Sequence, residues 1–336
     1  MSEDEIGTEN TMRERADESR IKLWLLVGAN RLIVTGVISV VFFGLFMLGG
    51  LLDPTLAELL EDRGVIESMF ASMISALVTG VTLVVTISQL IVSQENGPLG
   101  EQRTRMSETM DFRSYITELT DKPSPADPSA FLREIVDATE VRANALREVV
   151  AKTDDQDLRQ EVDEFVGSIT GNSETVREKL DGAKFGTFDV VYASMDYNYS
   201  WKIFQIERLE DDYQESLEED QFEALDDLRT SLVMFGPARE HIKTLYFQWE
   251  LIDLSRLILY IAIPALLVSG MMMTFVDETT IVGTLLGVEI LVWLVAVTFT
   301  FTLTPFFMLT AYVMRIATAA KRTLAIGPLI LRDSQR

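Results

Sequence analysis

Charge-free apolar runs long enough to cross a bilayer set the terms on which this chain can fold. About 30 Å of hydrocarbon takes roughly 20 residues of α-helix at 1.5 Å rise each. Residues 32–52, LIVTGVISVVFFGLFMLGGLL, meet that length without a charged side chain. Further apolar runs cover residues 65–94, 257–276 and 281–314. The pattern predicts four transmembrane helices in two hairpins. The fourth run would be about 50 Å long as one helix, so it must tilt or project, with a bend expected at Pro305. Pro264 should adjust the third span, and Asp277–Thr280 reads as the tight turn between spans three and four.

The flanking segments complete the plan. Residues 1–21 form a polar, mostly acidic tail without the basic start and small-residue cleavage site of a signal peptide. Residues 22–31, with Lys22, Trp24 and Arg31, read as an interfacial run-in to the first hairpin, which spans 22–94. The second hairpin covers 254–314 and a polar tail 315–336 follows. Gly97 and Pro98 close the second span. Of the basic residues near the span ends, only Arg63 falls in a short loop between paired spans. Arg20, Lys22, Arg31, Arg103, Arg105, Arg113, Arg256, Arg315, Lys321 and Arg322 fall on the other side. That asymmetry predicts a multi-pass protein of the cell membrane with both termini and residues 95–253 in the cytoplasm.

Residues 95–253 read as an all-helical domain inserted between spans two and three. Asp127 before Pro128 has the form of an N-cap followed by proline at the first helical position. Phe131, Leu132, Ile135, Val136, Leu146 and Val150 recur at helical spacing, as do Leu158, Val162, Phe165 and Ile169. Asn172 or Ser173 would cap a third helix. The aromatic stretch 182–200 leans to helix. Gly236-Pro237 punctuates the later apolar faces, with a last helix from about Pro237 running into the third span. The fold class is thus all-α: four membrane spans and a helical cytoplasmic domain.

Composition narrows the chemistry. Asp and Glu number 52 against 29 Lys and Arg, a net charge of −23. This argues against nucleic-acid binding and against peripheral binding to anionic lipid headgroups, and matches the way proteins stay soluble in concentrated salt. The chain has no cysteine and one histidine, His241, which leaves no material for disulfides, zinc or iron–sulfur clusters or thiol nucleophiles. His241 reads as a surface or packing residue. No nucleophile–base pair, phosphate loop or metal-ligand cluster is visible, so neither an enzyme nor a cofactor is expected. The acidic stretch ERLEDDYQESLEED (207–220) lacks the spacing of a calcium loop and reads as a solvated helix face.

The second span carries the most informative local pattern. Ser68, Ser72, Ser75, Thr79, Thr82, Thr86, Gln89 and Ser93 recur at alternating intervals of four and three, which places them on one helix face. Hydroxyls and an amide can replace part of an ion's hydration shell, so a ring of such helices could conduct. Small and hydroxyl residues equally let membrane helices pack closely. Both readings stand at this level. Glu289 is the candidate intramembrane acid, roughly 12 Å along a helix counted from Ile281; the alternative places it at the outer interface. Gly283-x-x-x-Gly287 matches a small-residue helix contact. Thr298, Thr300, Thr302 and Thr304 are placed to satisfy carbonyls around Pro305. Arg31, Arg256 and Arg315 are expected to snorkel at the inner boundary.

Two spans, a helical segment and two further spans are broadly similar in layout to bestrophin-type anion channels. The neck of those channels is apolar and aromatic, whereas the corresponding face here is rich in Ser and Thr. The layout implies a channel and assigns no residue a role. The leading expectation is an oligomeric channel or pore, lined by span two and assembled or gated by the cytoplasmic helices. The rival is a non-conducting scaffold or signalling protein whose helical domain binds a cytosolic protein partner. The lipid bilayer and further copies of the same chain are the other expected partners.

Overall fold

A computed structural model describes residues 24–52, 60, 62–184, 186–276 and 281–322. The N-terminal tail, most of the loop after Leu52, the turn expected at Asp277–Thr280 and residues 323–336 lie outside the described residues. The described chain is all-α apart from one two-stranded hairpin. Its helices are α1 (Arg31–Leu52), α2 (Arg63–Glu95), α3 (Leu99–Thr120), α4 (Pro128–Val150), α5 (Gln156–Leu180), α6 (Phe188–Met195), α7 (Tyr199–Asp212), α8 (Glu219–Phe275) and α9 (Ile290–Arg322). Helices α1, α2, α8 and α9 are each long and apolar enough to cross a membrane.

Two compact units divide the chain. One is centred on residues 97–247, and the other comprises residues 21–96 and 248–318. Residues 219–247 of α8 belong to the first and 248–275 to the second.

In the second unit the four spans form an antiparallel bundle, and the order of contacts fixes their directions. Ile66 and Phe70 of α2 pack with Met272 of α8, Met73 and Leu77 with Ala265, and Val84 with Leu254 and Ile258. Numbers rise along α2 as they fall along α8, so these helices run oppositely. Along the same path α9 contributes Leu291 to Ala296, then Phe306, then Met308 and Tyr312, so α9 runs with α2. Met47 of α1 joins the first of these groups and Val34 packs with Ala311, which sets α1 against α9. Phe306 approaches Gly80 closely: a Cβ at that glycine would lie 3.0 Å from the ring. Pro264 and Pro305 are carried within α8 and α9.

In the first unit α4 and α5 form an antiparallel pair. Arg147 on α4 reaches Asp163 on α5 at 2.8 Å, while Arg177 near the end of α5 reaches back to Asp137 at 2.9 Å and to Glu140. Their facing stripes, Leu132, Ile135, Val136 and Leu146 with Leu158, Val162, Phe165 and Ile169, are fully buried or nearly so. The Asp127 carboxylate accepts from the amides of Ser129 and Ala130, each at 3.0 Å, with Pro128 in the first turn as its sequence predicts.

Three expectations are corrected. Asn172 and Ser173 do not cap a new helix, because α5 continues through them to Leu180 and buries both. Gly236-Pro237 does not interrupt α8, which already begins at Glu219. Gly236 serves close packing, since a Cβ there would sit 3.2 Å from the Tyr199 ring. The fourth apolar run is not one helix from Ile281. Residues 284–289 form a hairpin, with Thr284 opposite Glu289 and Leu285 opposite Val288, and α9 begins only at Ile290. Gly283 and Gly287 take φ of +130° and +83°, so they turn the chain and do not mark a helix contact. Glu289 is half-buried in β2 (Val288–Glu289), immediately before α9, and does not lie part-way along a helix. Val288 is buried there, but Val282, Leu285 and Leu286 are exposed, and the two glycines redirect the backbone.

The cap and the hairpin tip give two expected outcomes. Hydrogen bonds from the Ala130 amide and the Ser129 side chain hold the Asp127 carboxyl below its ordinary value of 3.8. Its stabilisation is therefore complete above that value and is lost as pH falls through the depressed one. Asp127→Ala should lower stability by about 1 kcal/mol near neutrality and Asp127→Asn by much less, read from chemical unfolding of the full chain. Leu286, at the hairpin tip, takes φ +54°, costly for a branched side chain. Leu286→Asn creates the Asn-Gly pair preferred in such turns, and should raise the thermal midpoint by roughly the equivalent of 0.5–1 kcal/mol. A fall would show that the leucine side chain itself holds the fold.

Candidate functional site

On α2 the residues that face the bundle are Ile66, Phe70, Met73, Leu77, Val84 and Ile91, all buried. Their spacing turns the polar seam outward. Ser68, Ser72, Ser75, Thr79, Thr82, Thr86, Gln89 and Ser93 are each exposed on the surface of the second unit. Large apolar residues, among them Val78, Leu83, Ile87 and Leu90, share that exposed side. The seam thus does not pack against α1, α8 or α9.

Most of its hydroxyls satisfy themselves. Thr79, Thr82 and Thr86 donate to the carbonyls of Ser75, Val78 and Thr82, each at 2.8 Å. Ser93 donates to Leu90 at 2.8 Å, Ser75 to Ala71 at 3.3 Å and Ser68 to Val65 at 3.4 Å. A hydroxyl that returns to its own helix carries no unmet donor into hydrocarbon, while its oxygen can still accept. Gln89 differs: its amide is exposed, and among the described residues none hydrogen-bonds it. The threonines of α9 follow the same economy. Thr298, Thr300, Thr302 and Thr304 donate to Leu294, Ala296, Phe299 and Thr300 at 2.6, 2.7, 2.8 and 3.3 Å.

The Asn96 end of the seam borders a groove of about 610 Å³ between α2 and α8. Gln89 and Ser93 belong to both seam and groove. Neither Ser88 nor Ser255 belongs to the seam, yet their hydroxyls meet across the two helices beneath this groove. Sequence spacing could not have paired them, since they are 167 positions apart.

A second polar centre lies where α1 begins. Ahead of it, Trp24–Gly28 forms one wide turn, closed by the Ala29 amide on the Trp24 carbonyl at 2.7 Å. Arg31 is only 3% exposed. Its guanidinium donates to the carbonyls of Ala29 (2.5 and 3.1 Å), Leu26 (3.2 Å), Leu25 (3.3 Å) and, on α9, Ala311 (3.2 Å). Arg315 is 7% exposed; it donates to the same Ala29 carbonyl at 2.5 Å and approaches Glu250 of α8 at 3.5 Å. Arg31 and Arg315 therefore do not snorkel as expected. They hold carbonyls that the irregular turn leaves outside a helix ladder. Arg256 does remain exposed, 3.6 Å from Asp253.

In the first unit a buried polar network was missed at the sequence level. Lys202 is 0% exposed; its ammonium donates to Asn172 Oδ1 at 2.6 Å and lies 4.4 Å from the centre of the Tyr197 ring. Asn172 donates to the Asp196 carbonyl at 3.0 Å, and Lys179 pairs with the Asp196 carboxylate at 2.5 Å. Burial pushes the Tyr197 phenol far above its ordinary range, against the neighbouring hydroxyls of Thr139 and Ser173. These contacts explain why α5 buries an asparagine. His241 is exposed on α8, and ion pairs tie Glu161 to Arg208 and Glu210 to Arg229 around the acidic stretch.

Because one planar fork serves four carbonyls, Arg31→Lys should destabilise nearly as much as Arg31→Ala. The expected loss is about 2–4 kcal/mol in reconstituted protein, measured by thermal or chaotrope unfolding. A lysine variant with the parent midpoint would show that charge alone suffices.

Neither the comparison with curated proteins nor that with solved structures gave a match. One family model matches residues 1–336, described as a family of unknown function (DUF7972). Four helices able to span a bilayer, an outward polar seam on α2 and two buried arginines at the start of α1 thus describe a chain that belongs to this family of unknown function, DUF7972.

Proposed function

We propose that the chain forms an oligomeric membrane channel or pore in which the α2 seam lines the path and the helical unit of residues 97–247 assembles or gates it. The observation that carries this reading is the exposure of all eight seam residues on the single chain. A four-helix bundle closes on itself with its interior filled, so a path requires several copies around an axis. An outward seam is the face that such copies would turn toward that axis. The bilayer is that of the cell, with the 97–247 unit and both termini on the cytoplasmic side, as the distribution of Lys and Arg favours. In this arrangement Glu289, at the foot of the hairpin, occupies the outer interface.

A specific observation also favours the non-conducting scaffold. The first half of α3 is exposed all round, with Leu99 at 82%, Met106 at 65% and Met110 at 51%. A helix presenting such side chains suits a protein partner in the cytosol. Internally bonded hydroxyls let the seam lie against another helix without water.

The absence of cysteine makes a direct test simple. Single cysteines at Ser75, Thr82 or Gln89 should react with a charged, membrane-impermeant thiol reagent about tenfold faster than cysteines at Val78 or Leu83, because the thiolate forms only where water reaches it. The same protein in liposomes at high salt should pass ions above the empty-vesicle rate, and the seam cysteines, once modified, should block that flux. Equal reactivity at seam and apolar positions, with no flux from folded oligomer, rejects the channel and leaves the scaffold.

A further inference from the structure

The groove between α2 and α8 has a polarity that its surroundings do not require. Val85 of α2, half-buried, and Leu259 of α8, exposed, line the groove farthest from Asn96 and give it apolar walls. The Ser88–Ser255 contact sets the level of the two antiparallel helices. Beyond it toward the end of α2, Gln89, Ser93 and Asn96 supply amides and a hydroxyl. Arg256 lines the same groove from α8, its side chain 65% exposed. A long side chain on a helix slants toward the helix N-terminus. Since α8 runs against α2, that slant carries the Arg256 guanidinium toward the amide end.

The groove is mainly apolar, and one end carries the Arg256 guanidinium, 3.6 Å from Asp253, with the amides of Gln89 and Asn96. Its volume of about 610 Å³ lies within the roughly 300–1,000 Å³ of pockets that take small ligands. Free ions would leave the apolar half wet, and a plain hydrocarbon would leave the polar half unmatched. A phospholipid satisfies both ends with one molecule. We propose that this groove binds a membrane phospholipid with an anionic headgroup, its phosphate on Arg256 with Gln89 or Asn96, and one acyl chain along Val85 and Leu259. Asp253, 3.6 Å from Arg256, exchanges that exposed pairing for the phosphate. An arginine fork engages a phosphate through two parallel hydrogen bonds, which an exposed i,i+3 carboxylate at 3.6 Å does not offer. The proposal rests on the four spans lying in a bilayer and not on conduction.

The test uses full-length protein in nanodiscs, with one cysteine introduced at Val92, on the groove wall, and labelled with a small fluorophore. Nitroxide-labelled phosphatidylglycerol should quench that fluorophore about fivefold more effectively than nitroxide-labelled phosphatidylcholine at equal mole fraction, the ordinary attraction of one basic side chain for an anionic headgroup. A label at Leu83, an exposed apolar position outside the groove, should show no preference. Arg256→Gln should abolish the preference at Val92 while size-exclusion profile and thermal midpoint stay at the parent values. Val85→Phe, which fills the apolar end, should reduce quenching by both lipids. Equal quenching by the two lipids overturns the proposal. So does a preference that survives Arg256→Gln, or one that millimolar inorganic phosphate removes, since that would make the site one for a free anion. A retained lipid preference in protein without ion flux would reject the channel and leave this site standing.

Discussion

Hydrocarbon offers no hydrogen-bond partner, and that lack governs how this chain uses its polar groups. Regular helix solves the problem for most of the spans. The exceptions show how it is solved elsewhere. Thr79, Thr82 and Thr86 on α2 and four threonines on α9 return their hydroxyl protons to their own backbones. At the start of α1, where one wide turn breaks the ladder, Arg31 gathers four carbonyls and Arg315 shares one of them. That arrangement ties α1 to α9, and Arg315 extends it to Glu250 on α8. Three spans are thus joined at one end by donors that no single helix could have supplied.

The unit of residues 97–247 faces the opposite condition. It carries the acid excess of the sequence, which suits a surface solvated by water. Arg177 is bound to Asp137 and Glu140, Arg208 to Glu161, and Arg229 to Glu210. Each of these part-buried pairs still reaches solvent, which limits what it contributes by itself. The consequential charge is Lys202, buried completely against Asn172 and the Tyr197 ring. Such a group tolerates few alternative packings, because any rearrangement that separates it from its acceptor leaves a charge unsatisfied.

These contrasts explain which features could be read from the residues alone. Four spans were legible because apolar length with at most one charged side chain per run is sufficient evidence for a membrane helix. The Asp127-Pro128 start was legible because its cap is made by neighbours in sequence. The roles of Arg31 and Arg315 were not, since an arginine beside an apolar run has the same local signature whether it reaches for water or for carbonyls 280 residues away. Residues 284–289 misled for a related reason: apolar composition does not reveal a turn, which here depends on positive φ at Leu286 and Gly287 and leaves Leu285 and Leu286 exposed. Asn172, a favoured helix cap, sits inside α5 because Asp196 and Lys202 lie beside it in space. The spacing of the α2 seam gave its face correctly as one stripe, but could not say which way the stripe turns.

Its outward turn makes the residues of the seam unequal. The serines and threonines whose protons return to their own helix meet lipid, another helix or water with similar ease, so their exposure alone discriminates weakly among those surroundings. Gln89 has no such route: a long primary amide has two donors and an acceptor to satisfy, more than the turn beneath it offers. In hydrocarbon it would be costly, whereas in a wet path or against a lipid headgroup it is not. Ser93 and Asn96 extend the same polar end, and the groove carrying Arg256 opens beside them. The end of α2 nearest Asn96 is therefore where the physical demands on the seam are sharpest. Its deeper threonines could tolerate any neighbour; Gln89 cannot, and what satisfies Gln89 decides what the seam is for.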